Sequence, residues 1–416
     1  MSEEKKVFSR RDFGKGAIIG ASAIASFGIP RMGHAAEKMK IGVIGCGGRG
    51  TGAVQNAIQA NPNVVLVAAG DFWEERAKGC VEGLKNNENL KNNVSPDVAF
   101  YGGLDNYKKV LEHDMDYVIL ATPPGFRPVH FEAVVEAKKN CFCEKPIATD
   151  PNGTRRFMAA AKKSEQLKLH IVAGTQRRHD PAYQGTIQMI HDGAFGEVVA
   201  GRAYWNGGLP HARDRREGQK DLDYQLYNWY NFCWICGDNI VEQHVHNLDI
   251  MNWAIGAHPI SVIASGGRAW KTPEEKYGNI WDNFSCDYEY PNGVHVMSFS
   301  RHWGRSYSEV SERIFGSNRD FRGGITNCAD LAQGGGNPYV LEHKNLQDSI
   351  TGEGKYWNEA MQVAESVFTA IMGRMAAYTG KKYTWEEALN EDLSIVPENM
   401  SEDMTLPVAP IPVPAN

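Results

Sequence analysis

Three groups of residues in this chain have types and spacings that could do chemistry. Gly45, Gly47 and Gly50 form G-x-G-x-x-G, with Gly48 and Arg49 inside it, directly after the apolar run "MKIGVIG" at 39–45. Asp71 ends a second apolar run, "VVLVAAGD" at 64–71. Glu144, Lys145 and Pro146 follow a third, in "CFCEKP". The first two groups together read as dinucleotide recognition. Gly45 permits a tight turn, Gly47 lets the backbone approach a pyrophosphate, and Gly50 allows close helix–strand packing, while the helix N-terminus faces the negative charge. Asp71 would accept hydrogen bonds from ribose hydroxyls and repel a 2′-phosphate. Phe72 and Trp73 follow it instead of basic residues, so NAD is expected over NADP, with Arg76 arguing the other way. A lysine at the carboxyl end of a strand would be partly desolvated beside a nicotinamide, its charge available to a developing alkoxide. On that segment alone, a surface lysine before a turn proline is the simpler reading.

The elements that must position these residues follow from the pattern. The runs at 39–45, 64–71 and 116–123 are apolar along their length, as buried parallel strands are. Helical stretches such as 128–140 lie between them. The expected fold is α/β, an N-terminal Rossmann doubly wound parallel sheet. From about residue 172 alternating strands appear at 198–205, 260–267, 283–290 and 294–303, with "PNG" at 291–293 as a hairpin turn. This predicts an α+β second domain with a large, mostly antiparallel open sheet, one face exposed. The final helices, from about 358 to 378, are expected near the domain junction. The assigned spans are 37–171 for the NAD-binding domain, 172–390 for the substrate-binding domain and 391–416 for an extended tail that could contact another subunit.

With 416 residues the chain is long enough for two domains, and its formal net charge of −6 argues against a nucleic-acid surface. No apolar run reaches membrane-spanning length. Eight cysteines are scattered without the spacing of a disulfide scaffold. Residues 1–36 are set aside. Arg10 and Arg11, then Phe13 and Lys15, precede a weakly apolar Gly/Ala/Ser-rich stretch and small residues near Ala35 and Ala36, which fits a twin-arginine signal peptide. The expectation is a chain handed to the twin-arginine (Tat) export machinery and located in the periplasm or otherwise exported.

The glycine fingerprint, the acid after the second strand, "ATPP" at 121–124, His130 and "EKP" occur in that order. With "GTQRRHDPAY" at 174–183, "GEVVAGRAYW" at 196–205 and "VEQHVHNLDIMNW" at 241–253, the chain resembles the glucose–fructose oxidoreductase/inositol dehydrogenase/MocA family over nearly all of its mature length. The resemblance implies an NAD(P)-dependent oxidoreductase acting on a carbohydrate, with Thr122, Pro123, His130, Glu144, Gln176 and Arg177 at the cofactor. It implies that Lys145 bridges nicotinamide and substrate hydroxyl, and that the Lys145–Pro146 bond is cis. It places Glu242 and His246 at the family's Asp-x-x-x-His motif, a departure at the acid. Spacing of i and i+4 puts both on one helix face, with His246 as the base and Glu242 orienting or relaying. A metal at Glu242, His244 and His246 is disfavoured because i and i+2 point apart, so no metal is expected. His179, Tyr183, Trp205 and Trp229 are candidates for the substrate pocket, the aromatics by stacking on a sugar ring. Cys233 and Cys236 read as packing cysteines, with a disulfide as the alternative. Tight NAD retention would suit an exported enzyme, and a glycoside 3-dehydrogenase is the specific expectation. Its alternatives are a redox-neutral NAD-dependent glycosidase and a non-catalytic sugar-binding protein. The resemblance and the open sheet face together imply a homodimer or homotetramer.

Overall fold

A computed structural model describes residues 38–318, 325–326 and 335–414. The segment at 1–36, expected to be a twin-arginine signal, lies outside the described residues. Six parallel strands form the first sheet: β1 (Met39–Ile44), β2 (Val64–Gly70), β3 (Val94–Tyr101), β4 (Tyr117–Leu120), β5 (Asn140–Cys143) and β6 (Ile171–Ala173). Their spatial order is β3-β2-β1-β4-β5-β6, with Ile41 of β1 in register with Leu66 of β2 and Tyr117 of β4. Order reverses at β1, so the crevice for a ligand opens above the carboxyl ends of β1 and β4. Helices α1 (Gly48–Ala60), α2 (Glu74–Lys85), α3 (Asn106–Leu111), α4 (Arg127–Glu136) and α5 (Pro151–Gln166) cover both faces. The start of α5 is set locally, since Asp150 accepts from the Gly153 amide and Pro151 takes the first position. Its buried residues Thr154, Phe157, Ala160, Ala161 and Ser164 recur at helical spacing.

Helix α6 (Pro181–His191) leads to the second sheet, made of β7 (Val198–Gly207), β8 (Ser261–Gly267), β9 (Asn283–Glu289), β10 (His295–His302), β11 (Glu309–Gly316), β12 (Ile325–Thr326) and β13 (Tyr383–Thr384). Their order is β12-β11-β7-β10-β9-β8-β13. Every neighbouring pair is antiparallel except β7 with β10, which run parallel. The remaining helices are α7 (Asp221–Tyr227), α8 (Cys233–Cys236), α9 (Asn239–Glu242), α10 (Val245–Ile255), α11 (Glu274–Tyr277), α12 (Pro338–Thr351), α13 (Ala360–Thr379) and α14 (Trp385–Asn390). The fold is thus the expected α/β arrangement of a parallel Rossmann sheet and a mostly antiparallel one.

Helix α13 joins the two layers. Fifteen of its twenty residues are buried, and it packs on α5 and β6 from one side and on α10, β8 and β9 from the other. Two arrangements were not foreseen. A contiguous span of 172–390 does not describe the layers, because α12 returns to the first sheet, where the Gln347 amide donates to the Ala57 carbonyl and the Tyr117 hydroxyl, both at 3.0 Å. The tail, described to residue 414, lies along its own chain, with Leu406 bonded through both backbone groups to Asp221 and Gln225, and the Trp281 indole donating to the Pro412 carbonyl.

Candidate functional site

The glycine turn has the geometry its spacing predicts. Gly45 stands at φ 96°, where an L side chain is strained, and a Cβ there would press on the Ala121–Thr122 backbone. A Cβ on Gly50 would overlap the Gly45 carbonyl oxygen, whereas Cβ atoms on Gly47 or Gly48 would meet no atom within 4 Å. Both border a cleft of about 400 Å³ at the N-terminus of α1. The space a β-carbon would fill is therefore kept clear where a pyrophosphate would lie against backbone N–H groups. Asp71 is fixed beside it, accepting from the Cys46 amide at 2.7 Å and the Trp73 amide at 3.1 Å. Burial raises its pKa, and those two bonds pull the other way. Arg76 lies over the Trp73 ring at 3.9 Å and also borders the cleft.

Thr122, Pro123, His130, Glu144 and Gln176 all line this cleft. Arg49 pairs with Glu144 at 3.0 Å, and its guanidinium sits 5.0 Å from the Tyr339 ring centre. Thr122 Oγ1 meets His130 Nδ1 at 3.2 Å, and His130 stacks on Tyr107. Burial holds the His130 pKa down to about 3, so its imidazole is neutral. The Lys145–Pro146 bond is cis. Arg127, which the sequence reading missed, donates to the carbonyls of Thr122 and Pro146 and so ties the end of β4 to the lysine loop. A cation at the first turn of α4, inside an otherwise apolar segment, was the available signal.

Lys145 reaches across the cleft to the second half of the chain. Its Nζ donates to the Glu242 carbonyl oxygen at 2.6 Å and meets Glu242 Oε1 at 3.2 Å, with both side chains about nine-tenths buried. This corrects the expected single helix through Glu242 and His246. In a continuous helix the Glu242 carbonyl would accept from the His246 amide. Here Lys145 takes that acceptor, the His246 amide turns to the Gln243 carbonyl at 3.3 Å, and the helix breaks into α9 and α10. Glu242 ends α9 and His246 lies in the first turn of α10, yet both still line the cleft with Lys145 and Gln243. Burial raises the Glu242 carboxyl pKa, opposed by the charges of Lys145 and Arg127. Burial, then the Lys145 and Arg177 charges, lower that of His246 well below the usual imidazole range. His244 points elsewhere, to Ser298 at 2.7 Å. Among the described residues no group of three or more His, Cys, Asp or Glu side chains could hold a metal ion.

Other expected site residues fall outside the cleft. Arg177 turns to Glu312 of β11 at 3.2 Å. His179 is buried, bonded to Glu359 at 3.2 Å and Asn345 at 2.7 Å, because α12 and the start of α13 close over it. Tyr183 packs into the core beneath Arg177. Neither lines the cleft. Trp229 does line the cleft, and Trp205 stacks behind His246 at 6.0 Å between ring centres. Cys233 and Cys236 are buried free thiols. Phe126, Leu226 and Tyr339 also line the wall without having been foreseen.

Residues 39–171 match the family described as oxidoreductase family, NAD-binding Rossmann fold, and residues 183–322 match the GFO/IDH/MocA C-terminal domain. Among curated proteins, the chain is 25% identical over 233 residues to inositol 2-dehydrogenase of Acidothermus cellulolyticus, covering 56% of this chain and 58% of that one. It therefore spans less than two thirds of that relative. Among solved structures, scyllo-inositol dehydrogenase of Lactobacillus casei with bound NAD(H) and scyllo-inositol has the same fold at a TM-score of 0.65 and 16% identity, covering 84% of this chain and 100% of that one. UDP-N-acetylglucosamine 3-dehydrogenase of Acidithiobacillus ferrooxidans superimposes at 0.59 and 18% identity, covering 82% and 98%. The two family matches together span well over half of the chain, which belongs to the Gfo/Idh/MocA oxidoreductase family and carries its NAD-binding Rossmann domain.

Proposed function

We propose that this protein is an NAD-dependent dehydrogenase of a secondary hydroxyl on a polyhydroxylated ring, a sugar or glycoside. The single observation that carries the reading is the meeting of Lys145, Glu242 and His246 in the wall of the dinucleotide cleft. NAD supplies the hydride acceptor when bound. The chain supplies the rest. Glu242 holds the Lys145 ammonium through its carbonyl and carboxylate, so the cation is oriented before substrate arrives. A substrate hydroxyl placed against Nζ has its developing negative charge stabilised in a site largely shielded from water. His246, neutral for the reasons above, accepts the hydroxyl proton on its imidazole. Trp229 borders the cleft where a ring would lie, which suits stacking on the apolar face of a sugar, and Trp205 backs His246.

The inositol and UDP-N-acetylglucosamine dehydrogenases among the similar proteins support a ring-hydroxyl substrate. A glycoside oxidised at C3 is the finer reading. The Arg10–Arg11 pair supports export by the twin-arginine route, in which case the chain leaves with NAD already bound and holds it tightly. Ile263 and Met297, about half exposed on the open face of the second sheet, support a homo-oligomer. Purified protein loaded with NAD is titrated with glycosides and cyclitols while the near-ultraviolet band of reduced nicotinamide is followed. A rise with one substrate class, lost in Lys145→Ala, supports the reading. Sugar binding without that rise favours a non-catalytic binding protein, and aglycone release without an accumulating keto-sugar favours a redox-neutral glycosidase.

A further inference from the structure

The C-terminal tail completes an apolar cluster that also forms the wall of the dinucleotide cleft. Phe126, Leu222, Tyr224, Leu226, Phe232 and Trp234 make the buried heart of this cluster. From the tail, Ile395, Val396, Met400, Met404, Leu406 and Val408 pack against it. Phe72, Trp73, Leu104, Phe126, Leu226 and Trp229 belong both to the cluster and to the cleft wall, so one side of each faces the ligand space and the other faces the tail's cluster. Polar bonds fix the arrangement. The Ile395 amide donates to Asp150 at 2.8 Å, and the Leu406 amide donates to Asp221 at 2.9 Å. The Gln225 amide donates to the Leu406 carbonyl at 2.7 Å, and its Oε1 accepts from the Trp234 indole at 2.6 Å. Two residues from Asp221, Asp223 accepts from the Trp73 indole at 2.5 Å. Trp73 is thereby held next to Asp71, to whose carboxylate its own amide donates.

We propose that residues 395–408 are a positioning segment of the NAD site, setting the wall on the Asp71 side without touching the dinucleotide. The inference rests on the NAD-binding assignment alone and is independent of the substrate. Binding and tail docking must then be linked, each favouring the other. Two measurements on the full-length protein test this. In hydrogen exchange, saturating NAD slows exchange of backbone amides at 395–408; unchanged exchange there, with NAD bound, overturns the proposal. In the second, the double variant M404S/L406S weakens NAD binding about tenfold, with kcat at saturating NAD retained. Val413→Ser, at an exposed tail position, has no effect. Should the double variant fail to fold, Asp221→Ala removes the acceptor of the Leu406 amide from outside the cleft wall and gives the same readout. A tail made protease-sensitive with unchanged NAD affinity overturns the proposal. Absence of NAD binding by the unaltered protein would instead strike at the cofactor assignment.

Discussion

The two sheets bury themselves differently, and the difference explains where each kind of chemistry resides. In the first, β1, β2 and β4 are buried almost throughout, with helices on both faces. In the second, α10 and α13 cover one face while the other leaves Ile263 and Met297 52% and 55% exposed. The first sheet builds its ligand site locally, from a turn of six residues and an acid at the next strand end. The second contributes single groups from distant places, so Glu242 meets Lys145 across 97 residues. Dinucleotide binding should therefore respond to small local changes, and turnover to the contact between the halves.

The largest expected effect tests that contact. Lys145→Ala removes the cation facing the substrate and leaves Glu242 buried without its partner. kcat/KM should fall by about 100- to 10,000-fold while NAD still binds, as steady-state kinetics beside a nucleotide titration would show. Equal loss of NAD affinity would break the separation of the two halves. Next come two glycines in one turn. Gly50→Ala forces a side chain onto the Gly45 carbonyl and should cost about 1–3 kcal/mol of stability in denaturant unfolding. Gly47→Ala meets nothing in the protein, so it should keep its stability and yet weaken NAD binding by more than about tenfold, some 1.4 kcal/mol, because the β-carbon occupies the pyrophosphate's space.

A smaller effect follows from the buried imidazoles. His130 and His244 have folded pKa values lowered to about 3, and His246 is lowered as well. The unfolded chain, with imidazoles near 6.5, binds more protons in this window. Stability should be full above about pH 6.5 and fall progressively below it, in thermal unfolding across pH. The same lowering keeps His246 a neutral base, so kcat/KM should show no inflection at the ordinary imidazole pKa. The smallest catalytic effect is expected on the open face. Met297→Asp should leave kcat/KM nearly unchanged while shifting light-scattering mass toward the monomer, if that face joins subunits.

The sequence disclosed the parts whose geometry is local. The strand–glycine turn–helix unit, Asp71 at the end of β2 and Lys145 after β5 each follow from residue types within a few positions. The break at Gln243 was hidden because spacing of i and i+4 reports a helix face, and the lysine that takes the Glu242 carbonyl comes from another layer. His179 and Tyr183 looked available because the residues that bury His179, Asn345 and Glu359, lie far along the chain. The strands β3 and β11 were missed, their mixed polar and apolar residues giving no clear period. The tail's docking on its own chain was masked by its prolines, which suggest an extended arm and equally suit an extended segment laid on a body.

The central claim is that Lys145, Glu242 and His246 act together on a hydroxyl beside bound NAD. The most direct test is a single-turnover experiment with NAD-loaded protein and a panel of glycosides and cyclitols, following reduced nicotinamide in the unaltered chain and in Lys145→Ala and His246→Ala. The account predicts a stoichiometric burst with one substrate class, slowed by at least about 100-fold in each variant. A burst of undiminished rate in both variants would contradict it.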